Sequence, residues 1–238
     1  LDVSGPMAQE AGEIADNLVL KAMQALQARV ADLRCGHFSL VKRVPAQAGL
    51  GGGSSDAAAA LRLLADLNGL KPDDARLVEA ARATGADVPA CLIHQALRMG
   101  GIGDQLTPIK RMPPIDAVLV KPAASVSTAK VFEDLGMARG MKLHQPMMEW
   151  PDSYDVLTWI RAIREGRNDL ETPATHLVPM IALCLSALKG TQGCLVARMS
   201  GSGTSAFGLY RSTEHARSAA QRLASHHPDW WVRQTLLN

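Results

Sequence analysis

The stretch Lys42–Asp56, KRVPAQAGLGGGSSD, places four glycines and two serines within residues 49–55 and runs directly into AAAALRLLADL. Glycine loses more conformational entropy on folding than any other residue, about 0.5–1 kcal/mol against alanine inside a helix or strand. A chain that accepts this four times beside a strongly helical segment needs bare backbone at that point. Successive N–H groups aimed from the positive end of a helix form an anion site without any basic side chain, and a nucleoside triphosphate suits such a site. A flexible surface turn does not require that density of glycine and serine. Two familiar phosphate loops do not fit. A P-loop needs lysine just before the serine, where Gly53 precedes Ser54, and a dinucleotide fingerprint begun at Gly49 needs glycine where Ser54 stands.

Outward from the loop, helix signals dominate the first half. The spacing predicts a helix from about Ser55 to Asn68, closed by Gly69 as a left-handed cap, and a second over PDDARLVEAARAT ending at Gly85. Before the loop, LDVSG reads as the end of a strand, NLVLKAMQALQARV as a helix capped by Asp16 or Asn17, and HFSLVKRV as an alternating strand. After Gly85, GADVPACLI reads as an abrupt turn into an apolar run.

From IDAVLVKP onward the texture changes. A short strand is followed by the helix of SVSTAKVFEDLG, capped by Ser127 or Thr128, and by a proline- and methionine-rich stretch around residues 140–155. The remainder reads as one helix through HLVPMIALCLSALKG, a strand GCLVARMS, a tight turn GSGT, a strand SAFGLYR, a helix STEHARSAAQRLASHH and a strand WWVRQTLL. That order predicts a ferredoxin-like domain, 113–238, after a first domain, 1–112, with the boundary at Met112-Pro-Pro.

Composition narrows the partners. The 238 residues carry a formal net charge of +2, with 47% hydrophobic and 20% charged residues, so there is no basic footprint for nucleic acid. The longest apolar run of the second half is broken by Pro179 and too short to span a bilayer. Cys35, Cys91, Cys184 and Cys194 form no C-x-x-C pair and are read as reduced thiols of a cytoplasmic protein; no dedicated metal motif is visible. Oligomeric state is not readable.

The loop PAQAGLGGGSSDAA resembles the phosphate-binding motif of the GHMP kinases, P-x-x-x-G-L-G-G-G-S-S-x-A-A. With GADVPACL, GRNDLE and MSGSGTSAFG following in order, the chain is similar to the subgroup that phosphorylates 4-diphosphocytidyl-2-C-methyl-D-erythritol on the non-mevalonate isoprenoid route. The resemblance implies an α+β fold of two domains, a ribosomal protein S5 domain 2-like N-terminal domain and a ferredoxin-like C-terminal one. It implies an ATP-dependent kinase acting on the 2-hydroxyl of that substrate. Rival readings are another GHMP kinase, for homoserine, mevalonate or a sugar, and a catalytically silent nucleotide-binding module. The subgroup's A-K-x-N-L and D-G-Y-H motifs do not occur in these residues. The expectation is therefore a fragment whose first strands are missing and whose activity alone is weak.

Phosphoryl transfer requires an alcohol held in line and a carboxylate to take its proton. Asp87 in GADVPA is the candidate; from the residues alone it is equally a cap for the segment after it, and the resemblance implies the base. The same resemblance assigns Pro45, Ala46, Gln47, Ala48, Gly49, Leu50, Gly51, Gly52, Gly53, Ser54 and Ser55 to the ATP phosphates, and Lys42 and Asn17 to the adenine pocket. For Lys42 a solvated strand charge, and for Asn17 a plain helix cap, stand beside that role. Ser54 and Ser55 suit a phosphate or a Mg2+ carried by ATP. Gly201 and Gly203, in a turn needing positive φ, are implied to face the substrate together with Asp87 and Thr128, although Thr128 also suits a helix cap.

Overall fold

A computed structural model describes residues 1–46, 48–137 and 149–238. The chain separates into two compact units. The first holds Leu1–Ala46 and Gly51–Ile109, and the second holds the loop segment up to Leu50 and Lys110–Asn238.

In the first unit, β1 (Asp2–Ser4) is followed by α1 (Leu18–Gln27) and by β2 (Ser39–Val41), which pairs with β1 in parallel. Next come α2 (Gly52–Asn68), α3 (Ala75–Thr84) and α4 (Val88–Ile93), then a hairpin of β3 (Leu97–Gly100) and β4 (Gln105–Pro108). The core is helix on helix: Ala22 and Leu26 of α1 meet Ala57, Ala58, Leu61, Leu64 and Ala65 of α2, with Leu77, Ala80 and Ala81 of α3 and Val88 of α4. Alanines on the facing surfaces let the axes approach, and the leucines fill what remains. Asn17 caps α1 by accepting from Val19 N, Asp74 caps α3 by accepting from Arg76 N, and Gly69 ends α2 at φ +65°.

Three expectations change here. Helix α2 begins at Gly52, not near Ser55, so two of the loop glycines are already helical. The segment after Asp87 is a short helix, with Pro89 in its first turn, where a missing N–H costs nothing. The hairpin of β3 and β4 was not foreseen, because the glycines of GGIG mask its alternation.

The second unit is built on β5 (Ile115–Lys121). After α5 (Thr128–Asp134), α6 (Val156–Glu165), α7 (Glu171–Leu177) and α8 (Met180–Lys189) come β6 (Cys194–Met199), β7 (Ala206–Tyr210), α9 (Thr213–His226) and β8 (Trp231–Leu237). The four strands lie in the order β6-β7-β5-β8, every neighbouring pair antiparallel, which is the ferredoxin-like arrangement. Val118 and Val120 of β5 pack with Ile181, Leu185 and Leu188 of α8 and with Ala216, Ala219 and Leu223 of α9. The predicted single helix through HLVPMIALCLSALKG is two helices. Pro179 forces Val178 to extended backbone at φ −134°, ψ 88°, and the chain restarts at Met180. Most of the proline- and methionine-rich stretch lies outside the described residues.

Burial pushes the Cys184 thiol up to about 12 and raises those of Cys91 and Cys194. Thiolate is the reactive form. Alkylation of the native chain at pH 8, read by peptide mass spectrometry, should therefore leave Cys184 unmodified until denaturant unfolds the second unit. Modification of Cys184 at the pace of Cys35 would contradict this packing.

Candidate active site

The backbone enters α2 through two glycines in left-handed conformation. Gly49 has φ +68° and Gly51 φ +65°. At Gly49 a side chain has no room: its Cβ would lie 2.7 Å from Gly203 O and 3.0 Å from Ser200 O. Gly51 is different, since nothing stands within 4 Å of where its Cβ would be. It occupies the cap position of α2, and no side chain caps the helix. The first turn of any α-helix presents N–H groups without intrahelical partners, and the aligned peptide dipoles place roughly half a positive charge there. Here these groups belong to the exposed Gly51 and the half-buried Gly52, Gly53 and Ser54, and no side chain caps the helix.

Within this stretch the amides are not equivalent. Ala46 N already donates to Glu10 Oε2 at 2.9 Å, Ser55 N donates to Gly51 O at 2.9 Å, and Pro45 has no N–H. Ala48 is buried, while Gly51 and Ser55 are exposed; Gln47 lies outside the described residues. Gly52 is not demanded by the protein's own packing, because a Cβ there would make ordinary contacts of 3.5 Å with Val44 and 3.7 Å with Lys42 Nζ.

Lys42 is no solvated strand charge. Its side chain is 7% exposed, and Nζ lies 2.5 Å from Asp56 Oδ2, at the fifth residue of α2. Its backbone is fixed as well, with Lys42 N donating to Ser4 O and Lys42 O accepting from Met7 N. Asp56 is the partner the sequence reading missed; its signal is an acidic residue in the helix turn directly after the loop. The carboxylate offsets the ammonium, so the field at the loop is left to the peptide groups. Asn17 stands at the start of α1, its carbonyl engaged by Val19 N at 3.0 Å.

Asp87 is exposed at the cap position of α4, and its side chain makes no capping bond. The carboxylate is thus not occupied by the structural task that competed for it. Helix α4 packs on α2, and Arg62 Nη1 of α2 donates to Cys91 O at 2.9 Å, tying the two helices together.

In the second unit the turn 200–203 carries Gly201 at φ +54° and Gly203 at φ +93°. Ser200 Oγ donates to Gly49 O at 3.0 Å, so the first glycine segment and the second glycine turn touch within this unit. Thr128 is exposed, and its Oγ1 shares a 2.8 Å hydrogen bond with Ser202 Oγ; it makes no capping bond, and the cap of α5 is Ser127.

Family models match in two places: GHMP kinases N terminal domain over residues 17–95 and GHMP kinases C terminal over 155–229. A 4-diphosphocytidyl-2-C-methyl-D-erythritol kinase of Rhodopseudomonas palustris (strain BisA53) is 46% identical over 245 residues, covering 100% of this chain and 82% of the relative. This chain belongs to the GHMP kinase family. A protein of the same name from Methylobacterium radiotolerans is 49% identical over 238 residues, with 100% and 82% covered. Among solved structures, a 4-(cytidine 5'-diphospho)-2C-methyl-D-erythritol kinase superposes with a TM-score of 0.73 at 30% identity, over 99% of this chain and 82% of that one. The GHMP kinase fold thus accounts for both units and for the order of the motifs.

Removing the partner of a buried charge costs more than the pair contributes, about 3–5 kcal/mol when the group is left uncompensated. Asp56 is itself 27% exposed, so Asp56→Ala is expected at the lower end, about 3 kcal/mol by urea unfolding. Lys42→Met together with Asp56→Leu should recover most of that loss. Strict additivity of the two changes would show that the pair is not coupled.

Proposed function

We propose that this GHMP kinase transfers the γ-phosphoryl group of ATP to the 2-hydroxyl of 4-diphosphocytidyl-2-C-methyl-D-erythritol. The observation that carries the phosphate half is the uncapped start of α2 behind Gly51. The substrate half rests on relatives of 46–49% identity that bear that substrate in their names.

Residues 48–54 would take the triphosphate by their amides, with Lys42 and Asn17 toward the nucleoside. Asp87 would accept the proton of the attacking alcohol, which aims the oxygen and prevents positive charge from building on it as its bond to the γ-phosphorus forms and the bond to ADP breaks. Thr128, Gly201 and Gly203 would meet the acceptor. Among the described residues no three acidic, histidine or cysteine groups cluster as a metal site. The hydroxyls of Ser54 and Ser55 suit Mg2+ brought in on the phosphates, which would keep most of its ligands as phosphate oxygens and water and would neutralise phosphate charge. The four free cysteines suit a reducing cytoplasm. No helix among the described residues is long and apolar enough to cross a membrane.

In a coupled ADP-release assay, turnover should depend on the diphosphocytidyl alcohol and be absent with homoserine or mevalonate. Asp87→Asn should lower kcat by about 10²–10⁴ while leaving ATP affinity unchanged. A variant retaining a tenth of the rate would remove Asp87 from the role of base.

Gly52→Ala separates ligand from fold. Alanine is favoured over glycine in a helix by roughly 0.5–1 kcal/mol and has room here, so the melting temperature should hold or rise. ATP affinity should nonetheless fall, because the methyl group adds bulk at the first turn of α2, whose amides are proposed to take the phosphates. Unchanged affinity by calorimetric titration would place the triphosphate elsewhere.

A further inference from the structure

The segment Gly166-Arg-Asn-Asp-Leu-Glu171 has no part in the chemistry above, yet its side chains end on the second glycine turn. Asn168 Nδ2 donates to Met199 O at 3.1 Å and to Gly201 O at 2.8 Å, while its Oδ1 accepts from Leu170 N at 3.0 Å. Both amide hydrogens and the carbonyl are therefore engaged, and the backbone donor to Oδ1 fixes which way the amide points. Glu171 Oε2 accepts from Met199 N at 2.8 Å. Both backbone groups of Met199 are thus held by side chains from a segment some thirty residues earlier in the chain. The next residue, Ser200, points its hydroxyl at Gly49 O, and the carbonyls of Ser200 and Gly203 pack where a Gly49 side chain would be.

We propose that Asn168 and Glu171 are positioning residues for the phosphate site. They hold the end of β6 and the turn after it so that Ser200 and Gly203 set the backbone of Gly49. The proposal rests on the phosphate-site reading above and adds to it a support remote from the loop in sequence. It makes specific chemical demands. At 168 only a group with two donors and one acceptor serves, so Asn168→Asp, which sets a carboxylate against two carbonyl oxygens, should be worse than Asn168→Ala. At 171 an acceptor is needed but not a charge, so Glu171→Gln should behave as the natural chain and Glu171→Ala should not.

Two measurements on the whole chain decide it: hydrogen exchange of the Met199, Ser200 and Gly203 amides, and ATP affinity by titration. Asn168→Ala and Glu171→Ala should speed exchange at these amides and weaken ATP binding roughly 3- to 30-fold, the range typical of remote coupling. Glu171→Gln should restore both. ATP affinity that is unchanged in Asn168→Ala despite faster exchange would overturn the positioning role, as would equal loss in Glu171→Gln and Glu171→Ala. Failure of the unaltered chain to bind ATP would be a different result, removing the phosphate-site reading and the positioning role with it.

Discussion

The proposed phosphate site depends on one unfinished helix. Helix α2 starts behind a left-handed glycine with no side chain reaching back to cap it. An isolated helix end of this kind is unfavourable unless water or a ligand satisfies its donors. The fold supports it from both sides in sequence. Alanines and leucines of α2 are buried among α1, α3 and α4, which makes the helix rigid, and Lys42 anchors it near its start through Asp56. Burial is the larger contribution, since apolar surface is worth about 25 cal/mol per Å² and the pair is partly offset by desolvation.

The loop before the helix is constrained by different means. Gly49 is held by close backbone packing and by the Ser200 hydroxyl, which belong to the second unit, whereas Gly51 onward belongs to the first. Within the second unit polar contacts set the backbone of Gly49, and within the first a hydrophobic helix core holds the start of α2. In the proposed reaction Asp87 supplies the one chemical function that peptide groups cannot, a proton acceptor. Its carboxylate makes no capping bond and is exposed.

Much of this was legible in the sequence because it is local. Gly69 and Gly85 end helices where turn chemistry says they should, Asn17 caps α1, and positive φ at Gly201 and Gly203 follows from a tight turn between strands. The apolar run of IDAVLVKP and the strand-helix order after it were enough to give the antiparallel sheet. What escaped reading was either contrary to the local pattern or carried by distant contacts. Apolar spacing runs on through Val178-Pro179, so one helix was expected where proline makes two. Lys42 and Asp56 are fourteen residues apart, and Asn168 and Met199 thirty-one; neither pairing leaves a periodic trace. Polar side chains that meet across the fold are fixed by tertiary packing, which a single sequence does not display.

The central claim is that peptide amides, not side chains, receive the triphosphate. Amide chemical shifts of the 15N-labelled chain, followed by NMR during separate titrations with ATP and adenosine, test it most directly. The account predicts that Gly51, Gly52 and Gly53 move strongly with ATP and scarcely with adenosine. Equal movement with both ligands, or none at these three glycines while ATP binds, would contradict it.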